Sequence, residues 1–563
     1  MKKQFIAILL VVLLAGCGGG TDAPKNGESA TVKPTESDVP VAVQTFSVLS
    51  LGGIDNDTEN MDDPVGKVIT EKTGVRLEFE VPIGDYNQKL SLIIASEDFP
   101  DMIVNKENAM NTLVDAKALI PLNDLIDQYG PNIKKFLGDK IERLSFSKDD
   151  PNYYGFGDAK LIDQDVPGYY WGVAFAMQNA IVKEAGFPDV KTLEDYEKLI
   201  YDYMQANPTI DGQPTIGISL IASDGWRHLI SITNPAFLAA GFPDDGEFNL
   251  NLETETVKLH HTIPEEKEYF RWLNHINDIG LLDPESFTQS YDSYLAKISS
   301  GRVLGLIDAL WEYNDAQQSL NQSGKEERTY MPYPILMDPD NTVWKQYQSG
   351  VGVTAGGLMV TKNCKNPEKL VGFMDYLVTE EAMILKTWGI EGQGYNMVGD
   401  QRVRGQEMAE LFASDVKAFR ELTGAEKYTM SYFHQPGYGW KTSNGQMLSA
   451  FDPETVKSVY TKTEKEMLAG YGVDFYTDLF TKPSDFPQVT HGGVSVGKTE
   501  ETKVIWQKVR DLTLKSVAKA VLAKPDDFDA AWQEFLDSLD AVGLATLEQE
   551  ATESFREGIE RWK

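Results

Sequence analysis

The sequence predicts an α/β fold, and three observations carry that expectation. From residue 46 onward, segments alternating with the period of two that suits a strand take turns with segments of helical period. Turn and cap residues separate them, and 563 residues with 42% hydrophobic content and ten tryptophans can furnish the cores of two or more lobes. Phe46-Ser47-Val48-Leu49-Ser50-Leu51 is the first strand; it ends in Gly52-Gly53 and an acidic loop, Asp55-Asn56-Asp57. A helix is expected from Pro64 to Thr73, with Val65, Val68 and Ile69 on one face and Gly74 as its stop. Val75 to Val81 alternates again as a strand, Tyr86 to Ser96 reads as a helix, and Met102-Ile103-Val104 is a short apolar strand introduced by Phe99-Pro100-Asp101. Strand, helix, strand, helix, strand implies right-handed βαβ units and a parallel sheet. Farther on, Arg404 to Arg420 and Ala530 to Ala541 are amphipathic helix candidates, and Glu500 to Leu522 is a longer one closed near Pro525.

The chain opens differently. Met1-Lys2-Lys3 leads into an uninterrupted apolar run from Phe5 to Ala15, the layout of a cleaved signal peptide and well short of the ~18 apolar residues a membrane-spanning helix needs. Leu14-Ala15-Gly16-Cys17 resembles the lipobox of bacterial lipoproteins, in which the cysteine thiol is diacylated and the chain is cut before it. That resemblance implies a protein anchored to the outer face of the cell membrane by lipid on Cys17. The stretch to about Val43 is rich in Thr, Pro, Glu, Ser and Asp and has no aromatic residue, so it reads as a flexible tether.

Charge narrows the partners. The formal net charge is -34, or -36 after Lys2 and Lys3 leave with the signal peptide. So acidic a surface repels phosphate backbones and anionic headgroups, which argues against nucleic acid and against membrane binding other than through the N-terminal lipid. With Cys17 lipidated, Cys364 has no intramolecular disulfide partner. Six scattered histidines, no His-Glu-x-x-His and no Cys-x-x-Cys leave the usual transition-metal signatures missing, and no cofactor motif is present.

A series of short segments, in order, carries a further resemblance. Leu90 to Ile103, with its Phe99-Pro100-Asp101 turn, is followed by Leu119-Ile120-Pro121-Leu122-Asn123-Asp124-Leu125-Ile126 and by Tyr154-Gly155-Phe156-Gly157. Phe187-Pro188 with Thr192-Leu193-Glu194-Asp195-Tyr196, Lys297 to Val303, and Met359-Val360-Thr361-Lys362 with Asn366-Pro367-Glu368-Lys369 continue it. Together with the lipobox, this order over residues 46 to 398 resembles the extracellular solute-binding proteins of family 1, the sugar-binding lipoproteins of ABC importers. Trp388-Gly389-Ile390-Glu391-Gly392 is similar to the large subgroup for complex saccharides. The resemblance implies a periplasmic-binding-protein-like fold, two α/β lobes joined by a multi-strand hinge with the ligand cleft between them. On it, 1–16 is a signal peptide, 17–43 a lipidated linker, 44–166 and 331–398 lobe 1, and 167–330 and 399–563 lobe 2. It also implies an oligosaccharide ligand, the permease subunits of an ABC transporter as partners, and a monomer.

Sugars are held by aromatic faces that stack on their C–H side and by planar polar groups that bond their hydroxyls. The expected crossover loops supply both: Tyr170 and Trp171, Trp226 in Ser223-Asp224-Gly225-Trp226-Arg227, and Asp308 and Trp311 in Asp308-Ala309-Leu310-Trp311-Glu312. Trp388, Glu391 and Tyr395 follow, then Trp440 in an aromatic run from Tyr432. Each indole has core packing as its alternative. Trp272, Trp506 and Trp532, inside amphipathic helices, belong to the core, whereas Gly-flanked loops give Trp226, Trp388 and Trp440 less burial. By the resemblance, Asp57 and Asn105 also line the cleft, with turn or cap roles as the alternative.

Relatives in this subgroup can carry a calcium loop, but Asn207-Pro208-Thr209-Ile210-Asp211-Gly212-Gln213 has one carboxylate where three would be needed, so no metal is expected. Two other functions compete with transport: a secreted glycoside-active enzyme, and a surface adhesin or sensor that binds saccharide without import. Eighty-six acidic residues make a pair of carboxylates unavoidable by chance, and no Gly-x-Ser-x-Gly or Walker loop appears, so the expectation is a binder rather than an enzyme.

Overall fold

The computed structural model describes residues 42–51, 60–82, 86–105, 109–157, 159–161, 166–223, 225, 227–242, 246–340, 351–353, 357–429, 440–448, 452–485 and 494–562. The expected signal peptide, Cys17 and the expected tether up to residue 41 lie outside these residues, as do Asp57 and Trp226.

Two mixed sheets organise the rest. In the first, strand Gln44–Leu51 lies parallel between Val75–Glu80 and Met102–Asn105, as the alternating pattern predicts. The helix Pro64–Thr73 joins its first two strands: Asp63 caps its start by accepting from the Gly66 N–H, and Gly74 ends it in the left-handed region at φ 67°. The sheet is not parallel throughout. Gly357–Val360, far along the chain, inserts antiparallel between Met102–Asn105 and Gly155–Phe156. The second sheet runs Tyr330–Tyr333, Val173–Gln178, Val303–Ala309, Ile216–Ser219, with only the last pair parallel.

Each sheet has its own hydrophobic core. Phe46, Val48, Leu77, Met102, Phe156 and Leu358 belong to the first, and Phe175, Tyr196, Ile218, Leu304, Trp532 and Phe555 to the second. The chain passes between the cores three times: from Phe156 to Tyr170, from Ile335 to Leu358, and from Leu448 to Val456. In the first two passages Ala159–Leu161 pairs antiparallel with Val351–Val353, outside both sheets. The third passage corrects an expectation. The chain after 398 was expected in the second lobe, yet Tyr428 and Leu448 pack in the first core.

A local lock explains this. The Tyr428 hydroxyl donates to Asp63, the residue that caps Pro64–Thr73, and the Lys427 Nζ stands 3.6 Å from the same carboxylate. Gly66 makes room, since a Cβ there would fall 2.3 Å from the Tyr428 hydroxyl and 2.6 Å from the Met61 carbonyl oxygen. The helix candidate at 404–420 is two helices, Gln406–Ser414 and Val416–Thr423. Asp415 caps the second by accepting from the Ala418 N–H at 2.9 Å. The last third of the chain ends in three helices, Glu500–Val521, Phe528–Ala541 and Leu544–Trp562, which complete the second core through Val509, Val517, Trp532, Phe535 and Phe555.

Candidate functional site

The register of the two sheets brings the expected functional loops together. In the first sheet Leu51 pairs with Asn105, Asn105 with Gly357, and Leu358 with Phe156, so the strand ends at 51, 105 and 156 and the strand start at 357 share one edge. In the second, Ala309 pairs with Val173, Leu306 with Ser219 and Phe175 with Tyr333. The segments around 170, 220, 310 and 335 therefore share an edge as well. The Ala159–Leu161/Val351–Val353 ribbon connects these same two edges, because it follows Phe156 and precedes Gly357 on one side and precedes Val173 and follows Tyr333 on the other. In open α/β sheets, ligands bind outside the strand ends where the topology turns.

On the second edge two indoles are turned outward: Trp171 is 42% exposed and Trp311 48%. Trp311 is held by position, as the second residue of helix Leu310–Gln322, which starts directly where the buried strand Val303–Ala309 ends. Trp171 precedes the strand Val173–Gln178 and has Tyr169 beside it, ring centroids 6.0 Å apart. Behind them a narrow crevice is lined by their sequence neighbours Tyr169, Tyr170 and Leu310 with Tyr313, Gln317, Tyr330, Pro332 and Tyr476. It has room for about one water molecule, so a sugar ring cannot enter it and would have to lie on the exposed indoles.

Next to Trp311 stands a polar cluster that the list of expected residues lacks. The Arg227 Nε donates to Glu312 Oε2 at 2.9 Å, the guanidinium lies 3.8 Å over the Tyr291 ring, and the Tyr291 hydroxyl donates to the Glu312 carbonyl at 2.5 Å. Arg227 and Glu312 stand in the very loops singled out for their tryptophans. Tyr291 follows the helix cap Ser290, and Gln289, Ser290 and Tyr291 in succession were the available sequence signal.

Three expected contact residues are enclosed instead. Asp308 lies in the fully buried strand Val303–Ala309, where its carboxyl oxygens accept from the Tyr294 hydroxyl at 2.7 Å and the Ala309 N–H at 2.8 Å. Burial pushes its carboxyl up to about 8, so it is protonated at neutral pH. Tyr170 stacks on Phe480, centroids 3.6 Å apart, and its hydroxyl donates to the Val173 carbonyl at 3.3 Å. Trp388 ends the helix Glu380–Trp388 rather than sitting in a loop. It is fully buried, its N–H directed at the Met447 carbonyl at 3.4 Å and its ring flanked by Tyr395 and Arg404.

Tyr395 is half-buried beside it, with the Arg402 guanidinium 6.0 Å over its ring, while Glu391 is exposed and bridges to Tyr395. Trp440 packs half-buried against the first core. Asn105 closes the strand Met102–Asn105 on the shared edge of the first sheet. In the loop weighed for calcium, Asp211 takes the turn between Thr209–Ile210 and Gln213–Pro214 at φ 50° and pairs with Lys325 at 2.7 Å. Among the described residues no three His, Cys, Asp or Glu side chains cluster as metal ligands would.

Comparison with known proteins agrees with this architecture. The fructooligosaccharide ABC transporter substrate-binding protein FusA of Streptococcus pneumoniae is 26% identical over 345 residues, 59% of this chain; the match spans 61% of that protein's length. Lipoprotein LipO of Bacillus subtilis is 18% identical over 414 residues, 70% of this chain and 74% of LipO. Among solved structures, an extracellular solute-binding protein from Bifidobacterium longum subsp. infantis superposes with a TM-score of 0.63 at 16% identity, covering 92% of this chain and 99% of that one, and shares the fold. The model of the bacterial extracellular solute-binding proteins, a family that binds solutes rather than converting them, matches residues 66–395. That is more than half of the chain, and the chain belongs to this family.

Proposed function

We propose that this protein captures an oligosaccharide outside the cytoplasm and delivers it to the membrane permease of an ABC importer. The observation that carries the reading is the pair of outward-turned indoles, Trp171 and Trp311, on the strand-end edge from which the chain crosses to the other core. Stacking on a sugar's C–H face needs such a surface. The two cores act as lobes, the Ala159–Leu161/Val351–Val353 ribbon acts as the hinge, and ligand that touches both edges stabilises the closed form. FusA's name supports the saccharide and the transporter, and LipO's supports the lipid anchor at Cys17.

The test is a thermal-shift and calorimetric screen of the chain against oligosaccharides of three to six units, with chromatography of the sugar afterwards. A binder raises the melting temperature and returns the sugar unchanged; released product would point to a glycoside-active enzyme and sink this reading. Trp171→Ala and Trp311→Ala are each expected to weaken binding by about 1 kcal/mol without lowering the melting temperature of the free protein. Unchanged affinity in both would remove the indole pair as the site.

A further inference from the structure

Resting on the oligosaccharide reading above, we infer that the ligand is uncharged, and that the Arg227–Glu312 pair stacked on Tyr291 is a specificity device that withholds a cation from acidic sugars. A uronate-bearing saccharide is recognised through a cation whose charge is available to its carboxylate. The described parts of the second sheet's edge that carries the exposed indoles, 166–172, 220–223, 225, 227–228, 286–294, 309–316 and 333–338, contain one Lys or Arg, Arg227, against Asp292, Glu312, Asp315 and Asp338.

That one cation is committed. Glu312 holds Arg227 at 2.9 Å with its own side chain only 3% exposed, and the guanidinium plane is fixed 3.8 Å over Tyr291. Turning Arg227 toward a ligand carboxylate would strip the buried Glu312 charge of this ion pair, which a protein interior resists strongly. The adjacent imidazole offers no substitute: His228 is buried against the Ala222 carbonyl at 3.2 Å, and desolvation pushes it down to about 4, so it is neutral when the protein works near pH 7. An acidic ligand would then meet more carboxylates than cations on this edge and a net charge of -34 at a distance, whereas a neutral sugar needs only indole faces and hydrogen bonds.

The experiment is calorimetry at low ionic strength on the full chain in mild detergent. The neutral probes are kestose, maltotriose and mannotriose and their longer homologues; the acidic probes are tri- to hexamers of galacturonate and of alginate. A neutral probe is expected to bind, and the acidic ones to bind at least about a hundredfold more weakly. Tighter binding of a galacturonate or alginate oligomer overturns the inference and leaves the oligosaccharide reading standing. Binding of none of the probes overturns the oligosaccharide reading itself.

Glu312→Gln separates specificity from structure, because the amide keeps the shape and removes the negative charge that pairs with Arg227. The ratio of acidic to neutral affinity is expected to rise about tenfold, with the melting temperature as the control for folding. An unchanged ratio in a folded Glu312→Gln protein removes the pair's role, and Arg227→Lys, which keeps the charge but loses the planar stack on Tyr291, checks the same ratio in a second background.

Discussion

A single carboxyl, Asp308, shows how burial converts a surface expectation into a stability term. It was expected at the ligand because it stands beside Trp311 in sequence, but it is the penultimate residue of a strand buried on both faces. Its carboxyl is pushed up to about 8, mainly by desolvation, from the about 3.9 of an ordinary aspartate. The folded protein therefore keeps a proton that the unfolded chain releases, and this group's stabilisation is full below about pH 4 and lost as pH rises toward 8. Buried Glu266 and Glu464 are shifted upward for the same reason and act in the same direction. His228 and His261, pushed down to about 4 and about 3 by burial, act oppositely: the unfolded chain protonates them first, so stability falls as pH drops below about 6.5. Between about pH 6.5 and 8 only the upward-shifted carboxyls of this set change stability. Asp308→Asn, neutral at every pH and able to meet Tyr294, is expected to reduce that loss by about 1.4 kcal/mol per pH unit. Urea unfolding of both proteins at pH 6.5, 7.2 and 8 measures it, and parallel curves would mean that Asp308 is ionised in the folded state.

At the scale of elements, the segment 415–428 is fastened to the first helix through one residue's absent side chain. In Gly66→Ala the new Cβ would meet the Tyr428 hydroxyl at 2.3 Å and the Met61 backbone at 2.6 Å, and the backbone cannot yield as a flexible side chain would. A loss of about 2 kcal/mol is expected from overpacking, whereas Tyr428→Phe, which removes the hydroxyl that donates to Asp63, should cost about 1 kcal/mol. If the two losses are equal in denaturant titrations, the hydrogen bond and not the close approach holds this segment. Elements of this kind mark the limit of what the sequence reveals. Pro64–Thr73 and Tyr86–Ser96 were legible to the residue, because proline, cap and glycine signals are local. The antiparallel insertion of Gly357–Val360 and the return of 399–448 to the first core were not, since both depend on partners hundreds of residues away. Trp388 shows the same limit within the site: Gly389 after it suggested an open loop, but the cover comes from Met447, Arg404 and Tyr395, which no local pattern links to it. Trp171 and Trp311 were legible as aromatics in crossover loops; Tyr291 was not, because its value comes from Arg227 lying over it.

For the whole molecule, the decisive property is that two separate cores are joined by few chain passages and by surface contacts such as the Lys148–Glu560 ion pair and the Arg561 guanidinium on the Ser145 carbonyl. Each core is packed around its own sheet, and the paired ribbon Ala159–Leu161/Val351–Val353 belongs to neither. A bend at such passages exchanges these surface contacts for water and leaves both interiors packed, so the lobes can change their angle without repacking either core. Contacts that ligand makes with both edges would then favour the closed angle by as much as they differ between the two forms. An uncharged oligosaccharide identified in the binding screen is expected to reduce the radius of gyration in small-angle scattering, with no change in far-ultraviolet circular dichroism. In the Trp171→Ala/Trp311→Ala double variant, saturating sugar should fail to produce the contraction, because the second lobe has lost its share of the contacts while the hinge is untouched. Contraction of that variant at a sugar concentration like that needed by the parent protein would mean that closure is driven from another surface. A radius of gyration unaffected by sugar in the parent, despite measurable binding, would mean that the two cores are one rigid body.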